Sequence, residues 1–446
     1  MRLFAAAAVA ALCLAGPATA QSVTVIHAGG LLDRPGQAAK GPSTIVIRDG
    51  KVAAVRSGHA DPAEVGAPGA RVVDLKDQFV LPGLIDMHVH IFSDDDKMRG
   101  RLEGNTRDIE DSFVLGVDNA RRTLEAGFTT VRDLGSDIRS VTALRDGINN
   151  GLLAGPTIVP AGRAIAIRSG HADPSNNLNR DLADLALAKA ENVCNGADDC
   201  RRAVRSQISQ GAEVIKFTAT GGVNSNVAGG LGRQMFDDEM KAIVDTAHMF
   251  GRKVAAHAHG TDGIEAALRA GVDSIEHGTF GTPETDALFK KTGAWFVPTM
   301  LAPQAALAQA RAGARSRNTL DKAEIAGKAA MENHRRAIAS GVKIAFGTDT
   351  GVSSHGDNGK EFALMVSVGM TPAQAIRSAT VDAAELLGRG DSLGTLEPGK
   401  DADLIAVATN PLADVTELER PTFVMRRGVV HKQGGQRQAF PPAGKP

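Results

Sequence analysis

The central part of the chain repeats one unit, in which an amphipathic helical segment is followed by a glycine and a short apolar strand. Three of these units read "NARRTLEAGFTTVRDLG", "GIEAALRAGVDSIEHG" and "NHRRAIASGVKIAFGTD". The glycines stand where the residue after a helix adopts a left-handed conformation, and they are Gly127, Gly211, Gly251, Gly271, Gly293 and Gly341. With "GLIDMHVH" and "GPTIVPAGRA", the units supply eight short strands that alternate with helices. This alternation predicts an α/β fold, a (β/α)8 barrel of the TIM type.

An open doubly wound sheet is the competing fold, but we find no glycine-rich phosphate-binding motif that would favour it. The two ends of the chain show a different residue pattern from the central part. "STIVIRDGKVAAVRSG" near the start and "PTFVMRRGVVHKQ" near the end read as short strands, the first with a hairpin turn at "RDGK". We expect a small β-sandwich domain built from residues 21–82 and 396–434, with the barrel at 83–395 between them and a tail at 435–446.

The first twenty residues have the three parts of a secretory signal peptide. Arg2 precedes an apolar run from Leu3 to Leu14, and "ATA" at residues 18–20 is a small-residue cleavage site. The run is too short for a stable membrane anchor, so we expect a secreted or periplasmic protein that is free of the membrane after cleavage. The net charge of −1 gives no electrostatic reason to expect nucleic acid as a partner.

Two cysteines remain after the signal peptide, Cys194 and Cys200, and they bracket the turn-rich sequence "NGADD". In an oxidising compartment a close pair of this kind predicts a short disulfide bond. Two free thiols are the alternative. A cysteine-based metal site is disfavoured because the mature chain has no further cysteine to complete it.

Ionisable side chains concentrate at the carboxyl ends of the predicted strands, where the chemistry of such barrels is found. Five of the twelve histidines are among them. The residues are His88 and His90 on the first strand, Lys216 on the fourth, His257 and His259 on the fifth, His277 on the sixth and Asp349 on the eighth. His88 and His90 are two residues apart and therefore project from the same face of their strand. Together these residues predict a metal centre.

Lys216, in "EVIKF", is flanked by apolar residues. A lysine in that setting usually extends its amine to water, but among imidazoles a cation would repel a metal ion. Burial can lower the pKa of the amine until it reacts with carbon dioxide. The resulting carbamate would bridge two divalent ions about 3.5 to 4 Å apart. Imidazole and carboxylate ligands suit zinc best, and manganese, cobalt and iron are compatible.

The chain resembles the amidohydrolase superfamily. Within it, the resemblance is to the Xaa-Pro dipeptidase-like and imidazolonepropionase-related branch that includes ochratoxin-hydrolysing amidases. The resemblance covers nearly all of the mature chain. It is carried by "LPGLIDMHVH", "GAEVIKFTATGG", "VAAHAHG", "GVDSIEHG", "FGTDTG", "GMTPAQAIRSATVDAAELLG" and "LGTLEPGKDADLIAV". It implies that His88, His90 and Asp349 hold the more buried ion, that His257 and His277 hold the more exposed ion, and that carbamylated Lys216 bridges the two.

The resemblance also implies a reaction, in which a metal-bridging hydroxide attacks an amide carbonyl. Asp349 would be the catalytic proton carrier. His259 and His171 are candidates to orient the carbonyl, and Arg163 and Arg168 to bind a substrate carboxylate. The expected substrates are dipeptides or N-acyl amino acids with a free C-terminal carboxylate, ochratoxin-type amides included. Relatives often self-assemble, so a homo-oligomer is expected.

Two other functions stay open at the level of sequence. One is hydrolysis of a cyclic amide or lactone, or deamination, on the same barrel. Deaminases with one metal usually lack the lysine on strand four, so Lys216 counts against them. The other is an exported metal-binding protein without turnover, which the full ligand set and a candidate proton carrier disfavour.

Overall fold

The structure is a computed structural model that describes residues 23–104, 106–225, 227–313 and 317–440. The predicted signal peptide lies outside the described residues, so export stays a prediction. Among the described residues, no helix combines the length and the apolar character needed to cross a membrane.

The strands alternate with helices through the middle of the chain and follow one another at its two ends. The strands are β1 (Val23–Leu31), β2 (Ser43–Arg48), β3 (Lys51–Ser57), β4 (Arg71–Pro82), β5 (Leu84–Val89), β6 (Phe128–Asp133), β7 (Thr157–Pro160), β8 (Val214–Thr218), β9 (Lys253–Ala258), β10 (Ser274–His277), β11 (Trp295–Val297), β12 (Leu404–Val407), β13 (Phe423–Arg426), β14 (Val429–Gln433) and β15 (Gln436–Arg437).

The helices are α1 (Lys97–Glu103), α2 (Ile109–Glu125), α3 (Ile138–Asn149), α4 (Arg180–Ala188), α5 (Ala197–Ser209), α6 (Asp237–Met249), α7 (Thr261–Ala270), α8 (Pro283–Thr292), α9 (Leu301–Arg311), α10 (Arg317–Ala339), α11 (Lys360–Ser367), α12 (Pro372–Ser378) and α13 (Val381–Leu386), with a 3-10 helix at Val415–Glu419. Gly271 and Gly293 follow α7 and α8 with φ of 96° and 74°. These left-handed conformations favour glycine because it has no Cβ.

Both ends of the chain build one eight-stranded sheet, in the order β15-β14-β13-β12-β4-β1-β2-β3. The two ends meet where β12 pairs antiparallel with β4, for example Ala406 with Val80. One face of this sheet buries an apolar cluster that includes Ile26, Ile45 and Phe423. The sandwich form of this domain and its exact limits stay predictions.

The central strands form two parallel sheets, β11-β10-β9-β8 and β5-β6-β7. Every residue of β5, β6, β8 and β10 is buried, as expected for strands that are covered on both faces. Isolated parallel pairs join Ile165 to Phe217, Phe296 to Ile344 and Val89 to Thr350. The predicted eighth strand, around residues 343–349, is extended beside β5 and β11 but is not assigned as a strand. The assigned strands establish a mixed α/β fold, and the closed eight-stranded barrel stays a prediction.

Cys194 and Cys200 form a disulfide bond at the start of α5, with their Cα atoms 4.9 Å apart. Both side chains are fully buried. Replacing both with alanine should lower the free energy of unfolding by about 2 kcal/mol, because the unfolded chain gains the entropy of a short opened loop. Denaturant unfolding measures the change. The loss should appear in the wild type when a reductant is added, and a reductant should not alter the double variant.

Candidate metal centre

The ends of the central strands surround a cavity of about 410 Å³, a size typical of small-molecule sites. Of the residues that the sequence analysis assigned to metal or substrate, all but Arg168 line it. These residues are His88, His90, Arg163, His171, Lys216, His257, His259, His277 and Asp349. They come from β5, β8, β9 and β10 or their ends, from the loop after β7 and from the segment around Asp349, so the fold converges on this point.

His88 and His90 face Asp349 across the gap between β5 and the segment that follows β11. Asp349 Oδ1 lies 3.1 Å from His90 Nε2 and 3.5 Å from His88 Nε2. The main chain sets this geometry, since the Asp349 amide donates to the His88 carbonyl at 2.8 Å. Asp349 has φ of 58°, a left-handed conformation that is uncommon outside glycine and that concentrates at functional sites.

Four imidazoles pack ring to ring beside these residues. His257 lies 4.4 Å from His171, 4.6 Å from His259 and 4.6 Å from His277, measured between ring centroids. Nitrogen or oxygen atoms that could bind one ion lie within 4.8 Å of one another in two sets, which are His257 with His259 and His277, and His88 with His277 and Asp349. His90 is in neither set, and His90 and Lys216 both line the same cavity.

Burial lowers the pKa of His90, but the carboxylate of Asp349 outweighs this effect and the pKa is raised. Burial keeps the other five imidazoles neutral. It lowers the pKa of His88 and His171 to about 4 and that of His259 to about 3. The pKa values of His257 and His277 fall well below the usual value for the same reason. For Asp349 burial raises the pKa, but His88 and His90 outweigh it, and the pKa falls to about 2. Neutral imidazoles beside an ionised carboxylate are the protonation states that a divalent cation requires of its ligands, so the donor set fits such an ion.

Lys216 lies on β8 and is only 4% exposed, so its amine does not extend into bulk water. Burial lowers the pKa of this amine to about 8, against the opposing charges of Glu276 and Asp349. A pKa in that range leaves a substantial neutral fraction near physiological pH. Only the neutral amine is a nucleophile toward carbon dioxide.

Glu276 and Arg132 support the centre and were missed by the sequence analysis. Glu276 Oε2 accepts from His88 Nδ1 at 2.8 Å, and Glu276 Oε1 accepts from Arg132 Nη2 at 2.8 Å. Both side chains are at most 1% exposed. Because Nδ1 of His88 donates to the carboxylate, its Nε2 is left with a lone pair for a metal. A charged residue in the middle of each apolar strand, in "TTVRD" and "SIEH", was the available signal.

A third missed residue, Asp86, connects β5 to the segment around Thr348. Its carboxylate accepts from the His88 amide at 3.0 Å, from the Thr348 hydroxyl at 2.6 Å and from Asn358 Nδ2 at 2.8 Å. Gly347 is required beside it, because a Cβ there would lie 2.4 Å from Val297 Cγ1. This close approach sets the distance between His88 and Asp349.

The residues predicted to contact substrate differ in how free they are. His259 Nδ1 shares a hydrogen bond with the Thr279 hydroxyl at 2.7 Å. His171 Nδ1 is buried and has no partner among the described residues. Arg163 is at the cavity mouth with 53% of its side chain exposed, and its Nη2 lies 3.7 Å from Asp137 Oδ2, beyond hydrogen-bonding distance. Arg163 and His171 therefore remain available to a ligand.

Comparison with known proteins agrees with this site. The model of the amidohydrolase family matches residues 79–430. Ochratoxinase from Aspergillus niger is 32% identical over 430 residues, covering 93% of this chain and 87% of that protein. Imidazolonepropionase from Solibacter usitatus is 29% identical, covering 80% of this chain and 82% of that protein.

Among solved structures, a Xaa-Pro dipeptidase with methionine bound in its active site superposes with a TM-score of 0.86. It is 38% identical and covers 92% of this chain and 100% of that one. These similarities confirm the branch that the sequence motifs indicated, and they support an enzyme that hydrolyses amides. On the match to residues 79–430, the chain belongs to the amidohydrolase family.

Proposed function

We propose that this protein is a binuclear metal-dependent amidohydrolase that cleaves the amide bond of dipeptides or N-acyl amino acids with a free C-terminal carboxylate. The observation that carries the proposal is the convergence of the predicted ligands on one cavity of about 410 Å³. Ochratoxin-type amides fall within the same chemical class. Similarity to an ochratoxinase and to a Xaa-Pro dipeptidase with bound methionine supports the proposed hydrolysis of amides.

In this proposal His88, His90 and Asp349 would hold one divalent ion, and His257 and His277 would hold the other. Lys216, as a carbamate, would supply an anionic ligand to both. To form it, the Nζ lone pair makes a bond to the carbon of carbon dioxide, one C–O π bond becomes a carboxylate oxygen, and the amine releases one proton. Zinc is the ion that this ligand set suits best.

When bound, divalent ions polarise a carbonyl oxygen and lower the pKa of a water molecule to about 7. The side chains of the protein then move the proton and orient the substrate. Asp349 accepts the proton that the attacking water loses and delivers it to the leaving nitrogen as the C–N bond breaks. His171 and His259 orient the carbonyl, and Arg163 pairs with the substrate carboxylate.

The proposal also includes the finer architecture. Residues 343–350 would close the two parallel sheets into a (β/α)8 barrel, and the terminal sheet would fold into a sandwich from residues 21–82 and 396–434. Residues 1–20 would direct export to a secreted or periplasmic location. A homo-oligomer is part of the same proposal.

The direct test is a metal count together with a screen of dipeptides, N-acyl amino acids, an ochratoxin-type amide, cyclic amides and lactones. We expect about two ions per chain and hydrolysis of substrates that have a free carboxylate. Turnover of cyclic amides or lactones alone would favour the rival hydrolase. Stoichiometric metal without hydrolysis of any of these amides would favour a metal-binding protein.

Removal of metal by a chelator should destabilise the protein as well as inactivate it. Metal that binds the folded state alone adds stability by mass action, about 3 kcal/mol when free metal is 100-fold above the dissociation constant. Thermal unfolding before and after chelation measures the loss, and added zinc should restore both the melting temperature and the activity. An unchanged melting temperature would contradict a metal centre in this cavity.

Replacing Arg163 with alanine should lower kcat/KM for substrates with a free carboxylate about 10- to 100-fold, because a hydrogen bond to a charged group is lost. The effect should lie mainly in KM. The matched substrate is the same dipeptide with an amidated C-terminus, for which wild type and variant should be similar. An equal loss for both substrates would show that Arg163 does not bind the carboxylate.

A further inference from the structure

The apolar part of the cavity is lined by alanines from two neighbouring helices. Ala302 and Ala306 are four residues apart in α9, and Ala326 and Ala330 have the same spacing in α10. Side chains four residues apart lie on the same face of a helix. Each helix therefore presents its shortest side chains to the cavity, which leaves a slot between two apolar walls.

His334 continues the same face of α10, four residues after Ala330, and also lines the cavity. The side chain is 1% exposed. Its Nε2 lies 3.0 Å from the main-chain oxygen of His277. A carbonyl oxygen only accepts hydrogen bonds, so this nitrogen carries a proton. The ring is also held edge-on against Phe296, with centroids 5.1 Å apart, and its orientation is therefore fixed from two sides.

The other ring nitrogen of His334 has no partner. Nδ1 is buried and makes no hydrogen bond to any described residue. No carboxylate among the described residues forms an ion pair with the ring, and burial favours the neutral form. In the neutral ring with Nε2 protonated, Nδ1 is an acceptor. A buried acceptor without a donor is unfavourable, so a bound molecule that supplies one gains affinity.

We propose that the alanine-lined slot and His334 form a subsite for an aromatic side chain that carries a hydrogen-bond donor at its far end, as a phenol does. The apolar walls accept the ring, and Nδ1 of His334 accepts from its hydroxyl. This subsite rests on the proposed function, since it selects among the amides that the neighbouring centre would hydrolyse. His334 acts there in specificity, because it contacts the substrate side chain and not the bond that breaks.

The test uses pairs of dipeptides that differ only in a hydroxyl, with tyrosine or phenylalanine at either position. In the wild type, kcat/KM should favour tyrosine over phenylalanine by roughly tenfold at one of the two positions. His334→Phe keeps an aromatic ring against Phe296 and has no acceptor, so the ratio should fall to about one. An unchanged ratio in His334→Phe, or a wild-type ratio of one at both positions, would overturn the proposal.

A second variant, Ala330→Leu, tests the slot without touching the histidine. It should shift the preference of the enzyme from phenylalanine toward alanine at the same position by tenfold or more, because the added side chain fills the space for the ring. Metal content and melting temperature of both variants identify any loss of fold. If Ala330→Leu folds with full metal content and keeps the wild-type preference, the slot is not the side-chain subsite.

Binding measurements separate failure of this subsite from failure of the proposed function. If the wild type hydrolyses no amide, calorimetry with N-acetyltyrosine and N-acetylphenylalanine still tests the subsite. Tighter binding of N-acetyltyrosine that is lost in His334→Phe would support the subsite in a protein that does not hydrolyse amides. Equal affinities in the wild type would overturn it.

Discussion

Replacing Lys216 with alanine is expected to reduce bound metal from about two ions per chain to one or fewer and to abolish hydrolysis. The reason is that the proposed carbamate would be a ligand to both ions, so its loss would weaken the binding of each. Lys216 is 4% exposed and lies among neutral imidazoles. Elemental analysis after dialysis measures the metal, and the dipeptide screen measures the activity.

A matched lysine provides the control. Lys322 lies on α10 and donates to the carbonyls of Gly222 and Ser225, so it is a neighbour of the site without a place among the ligands. Lys322→Ala should keep the full metal content. Short carboxylic acids should partly restore metal binding to Lys216→Ala, because the space left by the side chain admits a carboxylate where the carbamate stood. Full metal content in Lys216→Ala would contradict the bridge.

Isotopically labelled bicarbonate tests the carbamate itself. Labelled wild-type protein should give a carbamate carbon resonance that is absent from Lys216→Ala. Its absence from metal-loaded wild type would show that the lysine stays an amine. Metal content and the resonance together separate a missing carbamate from a misfolded variant.

The residues that line the cavity at the strand ends were predictable from sequence because each signal is local. Because successive side chains of a strand point to opposite faces, His88 and His90 lie on the same face. An imidazole after an apolar run indicates the end of a strand. The alternation of helices and strands then places those ends at one edge. None of these inferences requires knowledge of which distant residues touch.

The supporting network could not be predicted because it depends on contacts between distant segments. Arg132 and Glu276 are 144 positions apart. The sequences around them, "TTVRD" and "SIEH", do not indicate that the two side chains pair. The predicted eighth strand shows the opposite case, in which the fold departs from a clear local pattern. Gly347 packs against Val297 and His88, and Asp349 turns left-handed. The extended segment therefore departs from regular strand geometry where the site needs it.

Replacing Arg132 with methionine is expected to destabilise the protein by about 3 to 5 kcal/mol, because the carboxylate of Glu276 would stay buried without its cation. In the wild type, burial raises the pKa of Glu276, but Arg132 and His88 outweigh it and lower the pKa from 4.5 to about 2. Because its pKa is depressed, ionised Glu276 stabilises the folded state at pH values above 4.5, the pKa of the group in the unfolded chain. This contribution is lost as the pH falls toward about 2.

The pH dependence distinguishes this loss from a simple packing defect. Without Arg132, burial should raise the pKa of Glu276, so the carboxyl takes a proton in mild acid and its burial becomes less costly. The difference in unfolding free energy between wild type and Arg132→Met should therefore be largest at neutral pH and shrink as the pH falls.

Adding Glu276→Gln to Arg132→Met should recover part of the lost stability at pH 7. Metal affinity should fall about 10- to 100-fold in the double variant, because His88 loses its orienting carboxylate. A loss of unfolding free energy that is constant with pH would show that the Arg132–Glu276 ion pair does not stabilise the protein. A double variant no more stable than Arg132→Met would show the same.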